Sequence, residues 1–253
     1  MIAADLKGKT ALVTGGASGI GLATVEILAR NGAAVALNHL EDDPRGPREA
    51  ERLAAAGLSV VAAPGNVSKP GEAERMVTSA VERLGRLDFL VNNAGTPGGK
   101  APVDFANLDA MTEEFWSLIL STNLVGPFRC THAAAPALKS SRGAVVSTAS
   151  VAGLNAVGSS IAYGASKAGL INMTRNLARA LAPEVRVNAV APGLVDSPWT
   201  KEWPEERKRS SIEKTPLRRM VKPEDIAEAI FFLCAGGSMI TGHTLVVDGG
   251  LSF

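Results

Sequence analysis

The chain has 253 residues, 46% hydrophobic and 20% charged, which excludes a disordered segment and fits one sizeable domain spanning residues 1–253. A formal net charge of +1 leaves no global field to hold nucleic acid or an anionic membrane. The two cysteines, Cys130 and Cys234, belong to no CxxC or Cys/His cluster, so no metal is expected and reduced thiols in the cytoplasm are the simplest reading.

Met1 to Lys9 lacks the apolar core of a signal peptide, and no stretch reaches the ~18 uninterrupted apolar residues of a membrane-spanning helix. Along the chain, short β-branched runs alternate with Ala/Leu/Glu/Arg segments. Strands are predicted at Thr10–Thr14, Ala34–Asn38, Ser59–Ala63, Phe89–Asn92, Ala144–Thr148, Arg186–Val190 and Thr244–Val247. Helices are predicted at Gly21–Asn31, Pro47–Ala56, Gly71–Leu84, Glu113–Leu138, Ala162–Leu181 and Pro223–Leu233. Strands this apolar need cover on both faces, so the expectation is an α/β, Rossmann-type doubly wound parallel sheet built by right-handed crossovers. Two segments break the rhythm, Thr96 to Ala110 and Leu194 to Lys222. Both begin near the carboxyl ends of strands, where such sheets hold ligands.

The first strand runs into Thr14-Gly15-Gly16-Ala17-Ser18-Gly19-Ile20-Gly21 and then an amphipathic helix. Glycine permits positive φ and removes the Cβ that would keep a pyrophosphate from main-chain N–H groups, while the helix N-terminus offers partial positive charge. By itself this turn equally suits a tight connection with no ligand. Tyr163, the only tyrosine, and Lys167 lie four positions apart on a predicted helix and so project from one face. A tyrosine that exchanges protons near neutrality needs its anion stabilised, and an adjacent ammonium is the obvious means. Ser150 follows the fifth strand at the sheet's carboxyl edge, while Ser147 lies within that strand and is expected to be buried. Asn123 sits inside a long apolar helix, where a short amide signals a kink or a polar contact.

Together, TGxxxGxG at Thr14 to Gly21, Asn92-Asn93-Ala94-Gly95, Ser150 thirteen residues before Tyr163, Tyr163-Gly-Ala-Ser-Lys167, Pro192-Gly193 and Thr241 to Gly250 resemble the short-chain dehydrogenase/reductase family over almost the whole chain. The resemblance implies seven strands in the order 3-2-1-4-5-6-7, a nicotinamide dinucleotide, and a homotetramer with Asp248 to Phe253 near a subunit interface. It implies Asn123, Ser150, Tyr163 and Lys167 as the catalytic set. Tyr163 exchanges the proton, Ser150 holds the substrate oxygen, Lys167 holds the ribose and lowers the Tyr163 pKa, and Asn123 binds a water. It further implies a dinucleotide held by Gly15, Ser18, Gly19, Ile20, Gly21, His39, Leu40, Asn66, Val67, Asn93, Ala94, Gly95, Tyr163, Lys167, Pro192, Gly193, Val195 and Ser197.

Departures from the family pattern bear on the cofactor. His39 stands where NAD enzymes of the family carry Asp, Leu40 and Ser18 stand where NADP enzymes carry a basic residue, and Arg45 is flanked by Glu41, Asp42 and Asp43. NADP(H) is favoured, with NAD(H) the alternative. Asn66 replaces Asp near the adenine and is expected to accept a bond through Oδ1. Ser197 replaces Thr, with Thr200 as a second candidate for its role. The segment 194–222, with Trp199, Trp203 and more basic than acidic residues, is a candidate lid over the substrate, its blander alternative being a solvated helical face with packed tryptophans. His132, Met111 and His243 are expected to be packing or surface residues. The resulting expectation is an oxidoreductase that moves a hydride between a nicotinamide cofactor and a carbonyl or secondary alcohol, of ketone or 3-oxoacyl reductase type. The alternatives are a sugar or small-alcohol dehydrogenase working oxidatively, and a nucleotide sensor without catalysis. A small-molecule substrate is the expected partner, with neither nucleic acid nor membrane.

Overall fold

The computed structural model describes residues 4–155 and 158–252, so Met1 to Ala3 and Phe253, which enter the terminal expectations, lie outside the described residues. Strands β1 (Thr10–Val13), β2 (Ala34–His39), β3 (Val60–Pro64), β4 (Phe89–Asn92), β5 (Ala144–Thr148), β6 (Arg186–Pro192) and β7 (Thr244–Val247) form one parallel sheet in the order β3-β2-β1-β4-β5-β6-β7. The helices are α1 (Gly19–Arg30), α2 (Arg45–Ala55), α3 (Glu72–Leu84), α4 (Glu113–Leu120), α5 (Gly126–Ser141), α6 (Ile161–Leu181), α7 (Glu205–Lys214) and α8 (Pro223–Ala235).

Side chains alternate across the sheet, and each face has its own core. Ala11, Val13, Val35, Leu37, Val91 and Val146 join Val25 and Leu28 of α1 and Ile226, Ile230 and Phe231 of α8 on one face. Leu12, Ala36, Leu90, Val145 and Val187 face Met76 and Val77 of α3, Cys130 and Leu138 of α5, and Ala178 of α6 on the other. The strand order brings the carboxyl ends of β1, β4, β5 and β6 side by side, and a cavity of about 550 Å³ opens there.

Two readings need correction. Glu113–Leu138 is not one helix: α4 and α5 are joined by a π-helical turn, Ser121–Val125. Pro127 has no N–H for an α-type bond to the Asn123 carbonyl, and its ring would crowd that oxygen, which favours a wider turn there. Within 194–222, α7 is an element that periodicity left unassigned, and it buries no side chain. The ends of this segment are tied together by a Val195–Val221 bridge, with Asp196 N donating to Val221 O at 2.8 Å and Val221 N to Leu194 O at 2.9 Å.

Candidate active site

The turn after β1 is held from beneath by polar side chains. Thr14 Oγ1 accepts from the N–H groups of Asn93 and Ala94, both at 3.0 Å, which locks the end of β1 to the end of β4. Gly15 (φ +61°) and Gly19 (φ +53°) adopt left-handed backbone, and a Cβ on Gly15 would stand 2.9 Å from the Ala94 Cα. A Cβ on Gly21 would overlap the Gly15 carbonyl oxygen, so glycine is what lets α1 start this close to the turn. Ser18 caps α1 in extended conformation with no side-chain hydrogen bond to the helix, which leaves the N-terminal N–H groups for an anion. Ser18, Gly19 and Ile20 line the cavity, and these residues fit a dinucleotide pyrophosphate.

At the reacting end, Ser160 caps α6 by accepting from Tyr163 N at 3.0 Å, which fixes Tyr163 in the first turn of the helix. Lys167, 3% exposed, lies one turn on, with Nζ 5.7 Å from the Tyr163 ring centre and donating to Thr148 O at 2.7 Å. Ser150 follows β5 and caps a short 3-10 turn, accepting from Ala152 N at 3.2 Å, while Ser147 is buried within the strand. Tyr163, Ser150 and Lys167 all line the cavity. Asn123 is fully buried at the π-helical turn. Its Oδ1 accepts from Thr96 N at 2.8 Å, and its Nδ2 donates to Thr96 O at 2.9 Å and to Ser166 Oγ at 3.3 Å. A Cβ on Gly95 would stand 3.2 Å from Asn123 Oδ1 and 3.7 Å from Lys167 Nζ, so both side chains border that residue.

The electrostatics differ from expectation. Burial pushes the Tyr163 phenol up to about 12, against the smaller lowering effect of the Ser150 hydroxyl, and pushes Lys167 down to about 8. One donor of Lys167 is taken by Thr148 O, and burial outweighs the lowering effect of Ser150 on the phenol. The amide of Asn123 braces Thr96 and meets Ser166.

Along the cofactor wall, several expected contacts are already engaged within the chain. Asn93 Nδ2 donates to Thr14 O and Gly15 O, both at 3.1 Å, and its Oδ1 accepts from Thr148 Oγ1 at 3.3 Å, so its side chain holds the turn. Asn66 Oδ1 accepts from Ser68 N at 2.9 Å and Ser68 Oγ at 2.8 Å, which occupies both lone pairs expected to reach the adenine. His39 is buried with Nδ1 against Leu40 O at 2.8 Å, and its ring fills the space a Cβ on Gly46 would need, while Leu40 is exposed. Arg45 is clamped on Asp43 by bonds of 2.9 and 2.8 Å, which holds the Asp43 carboxyl below its usual value.

Ala94, Gly95, Val67, Pro192 and Gly193 border the same cavity. Val195 is buried, Thr200 Oγ1 is spent on Val195 O at 2.7 Å, and Ser197 keeps a half-buried hydroxyl at the wall. His132 and His243 are exposed and Met111 is buried, outside the cavity lining.

Sequence reasoning missed Asn38, whose Nδ2 donates to Ala63 O and Gly65 O and whose Oδ1 accepts from Gly15 N at 3.1 Å. An amide inside an otherwise apolar strand was the available signal. It also missed Arg207 of α7, which lines the cavity beside Trp203.

Comparison with known proteins agrees with this arrangement. The family profile described as enoyl-(acyl carrier protein) reductase matches residues 15–252. A protein of Streptomyces violaceoruber named as ketoacyl reductase 2 of the granaticin polyketide synthase is 42% identical over 243 residues, 95% of this chain and 94% of that one. The 3-oxoacyl-[acyl-carrier-protein] reductase of Thermotoga maritima is 38% identical over 251 residues, 97% of this chain and 98% of that one. The crystal structure of the 3-oxoacyl-[acyl-carrier protein] reductase of Brucella melitensis superposes with a TM-score of 0.89 at 30% identity, covering 98% of this chain and 93% of that one. Among the described residues no helix is long and apolar enough to cross a membrane. Matched over nearly its whole length, with the strand order and glycine turn described above, the chain belongs to the short-chain dehydrogenase/reductase family and is a nicotinamide-dependent oxidoreductase of carbonyl and alcohol groups.

Proposed function

We propose that the protein reduces the ketone of a 3-oxoacyl-type substrate with NADP(H), using Tyr163 as the proton donor. The observation that carries this reading is a neutral phenol, pushed up to about 12, lining the cavity beside Ser150 and one helical turn from Lys167. When bound, a reduced nicotinamide supplies a hydride to the carbonyl carbon. The oxygen that becomes an alkoxide takes the proton of the Tyr163 hydroxyl, and because an alkoxide is more basic than a phenolate the transfer runs downhill. The Ser150 hydroxyl donates a hydrogen bond to the same oxygen and holds it in place. Lys167 has three donors, of which Thr148 O takes one, leaving two for ribose hydroxyls. Its ammonium, near 8, is charged at neutral pH and can return a proton to the phenolate. Asn123 fixes Thr96, next to Gly95, which Lys167 also borders.

The 3-oxoacyl assignment rests on the names of the relatives, and the choice of NADP(H) on the ribose end of the cavity. That end offers an imidazole at residue 39 in place of a carboxylate, a guanidinium at Arg45, and one lining carboxylate, Asp43, whose charge Arg45 already neutralises. Segment 194–222 serves as the lid of this single-domain enzyme. Two buried free thiols suit a reducing cytoplasm, and the exposed Leu118, Val125 and Phe128 of α4, the π-helical turn and α5 suit burial between copies in a homotetramer. The test measures consumption of NADPH and NADH with a 3-oxoacyl thioester and with simple ketones, together with the dissociation constants of both cofactors. Oxidation of NADPH on the thioester, with tighter binding than NADH, is expected. Cofactor binding without turnover on any carbonyl would leave only a sensor.

A further inference from the structure

Arg207 is, besides Lys167, the cation of the cavity wall that no carboxylate pairs. It projects from α7 into the cavity wall, half-buried, with its guanidinium carbon 4.7 Å from the centre of the Trp203 ring and Nη2 donating to Gly158 O at 2.9 Å. None of the ion pairs among the described residues includes it. Its neighbours Lys208 and Arg219 are paired with Glu205 and Asp225, and Arg45, the other guanidinium lining the cavity, is paired with Asp43. Burial lowers the Arg207 pKa from its usual value, yet a guanidinium stays charged at neutral pH, so the cavity holds a partly desolvated cation with no carboxylate to answer it.

The position is close to the chemistry. Gly158, whose carbonyl Arg207 grips, packs on the edge of Tyr163: a Cβ there would stand 3.1 Å from Tyr163 Cδ1. The guanidinium is therefore anchored one residue away from the proton-donating ring. Two more polar atoms of the same wall, Ser159 Oγ and Trp203 Nε1, are buried without a partner among the described residues. Native proteins rarely leave such atoms unanswered, and here two of them adjoin a guanidinium without a counter-ion.

We infer that Arg207 is a specificity-determining residue that pairs with a carboxylate carried by the substrate a few bonds from the reacting carbonyl, so that the preferred substrates are compact oxo acids. The inference rests on the carbonyl-reductase reading and, within the 3-oxoacyl class, ranks the free oxo acid above the thioester, which is still reduced. One bond to Gly158 O leaves the remaining N–H groups of the planar fork for a carboxylate, whose two oxygens match it. A ketone whose only charge lies at the far end of a long carrier would leave the guanidinium unanswered.

The test compares a short 3-oxo acid, its amide and the corresponding oxophosphonate as substrates of wild type, Arg207→Gln and Arg207→Lys. The 3-oxo acid is expected to have the lowest KM with wild type. Arg207→Gln should raise that KM by about 10- to 100-fold, the value of a charge-assisted pair, with kcat nearly unchanged and the KM of the amide unmoved. Arg207→Lys should fall between, because it keeps the charge and loses the fork. An oxophosphonate favoured over the oxo acid would assign the site to phosphate-type anions and overturn the carboxylate. Equal KM changes for acid and amide would make Arg207 a structural strap and overturn the inference while leaving the reductase intact. If no carbonyl compound is reduced, calorimetric titration with the oxo acid and its amide decides the inference separately: a preference for the acid that Arg207→Gln abolishes sustains it, and no preference overturns it. Because α7 buries no side chain, both variants are expected to fold, which circular dichroism checks.

Discussion

Lys167 lines the cavity from inside the protein and Asn123 stands behind its wall, 3% and 0% exposed and each bonded to main chain, whereas Arg207 and Trp203 reach it from a segment whose helix buries nothing. The first pair stands on β5, α6 and a π-helical turn welded into two packed cores. The second stands on a stretch whose ends are tied to each other by the Val195–Val221 bridge and which meets the body through bonds such as Leu217 N to Gly249 O and Arg207 Nη2 to Gly158 O. Position on the inner side is over-determined, so geometry there can be held to the tolerance a proton transfer needs. On the outer side polar groups remain unanswered and the helix buries no side chain, which is where choice among substrates belongs. Substitutions on the two sides should therefore fail in different ways: loss of rate or of fold on the inner side, loss of discrimination on the outer.

The largest effect is expected from Tyr163→Phe. The ring and its contacts with Gly158 and Ser160 are kept and only the proton is lost, so kcat should drop by about 10²- to 10⁴-fold while cofactor affinity holds within a few-fold. Steady-state rates and a cofactor titration check both halves. Near-normal turnover would place the proton donor elsewhere and dissolve the contrast between the two regions.

Gly21→Ala comes next and acts through the fold. The added Cβ overlaps the Gly15 carbonyl oxygen and approaches Asn93 Nδ2 at 2.6 Å, so α1 must move off the turn. Overpacking of this kind costs about 1–3 kcal/mol, and the displaced helix start should weaken dinucleotide binding in parallel. Urea unfolding and a cofactor titration measure the two losses; intact binding would mean that the pyrophosphate does not use this helix end.

The inner side was also the part legible in the sequence, and the reason is physical. Apolar runs such as Ala144–Thr148 must lie between two layers of helices, and family resemblance decided between a phosphate cradle and a plain tight connection at the glycine turn, so strand order and cradle followed from pattern and resemblance together. What pattern could not supply was the destination of each polar atom. Asn93, Asn66 and Asn123 were expected to meet ligand or water, yet their amides answer Thr14, Ser68 and Thr96, because a buried main-chain group nearby claims an amide first. The environment of Tyr163 was half legible: proximity of Lys167 on a helix is visible in spacing, whereas the burial that raises the phenol is not. Helix α7, polar all round with mean hydropathy to match, carries no stripe to reveal it, and so Arg207 went unread as well.

Asn123→Ala sharpens the comparison at smaller scale. Removing the amide leaves Thr96 N and O without their partner, a penalty of about 1–3 kcal/mol visible as a lower urea midpoint. Because Thr96 lines the cavity beside Gly95, kcat should fall more than KM rises. Stability loss without a change in kcat would reduce Asn123 to a packing role.

The smallest effect is a slope, and it tests burial of the inner cation directly. In the folded protein Lys167 releases its proton near 8, whereas the unfolded chain keeps it to the ordinary value of 10.5. Between those limits the unfolded state binds more protons, so this group's contribution to stability rises with pH above about 8, its full penalty being present below. Cys130, Cys234 and Tyr163 oppose it. Each is pushed up to about 12 and holds a proton that the unfolded chain gives up from about 9 for the thiols and 10 for the phenol, so each lowers stability as pH rises through those values. The difference between wild type and Lys167→Met cancels these three and isolates the lysine. The methionine variant should gain most over wild type at pH 7.5 and less at pH 9.5, as read from urea unfolding at both values. A pH-independent difference would mean that Lys167 keeps its charge solvated, and the inner side of the cavity would then be as open to water as the outer.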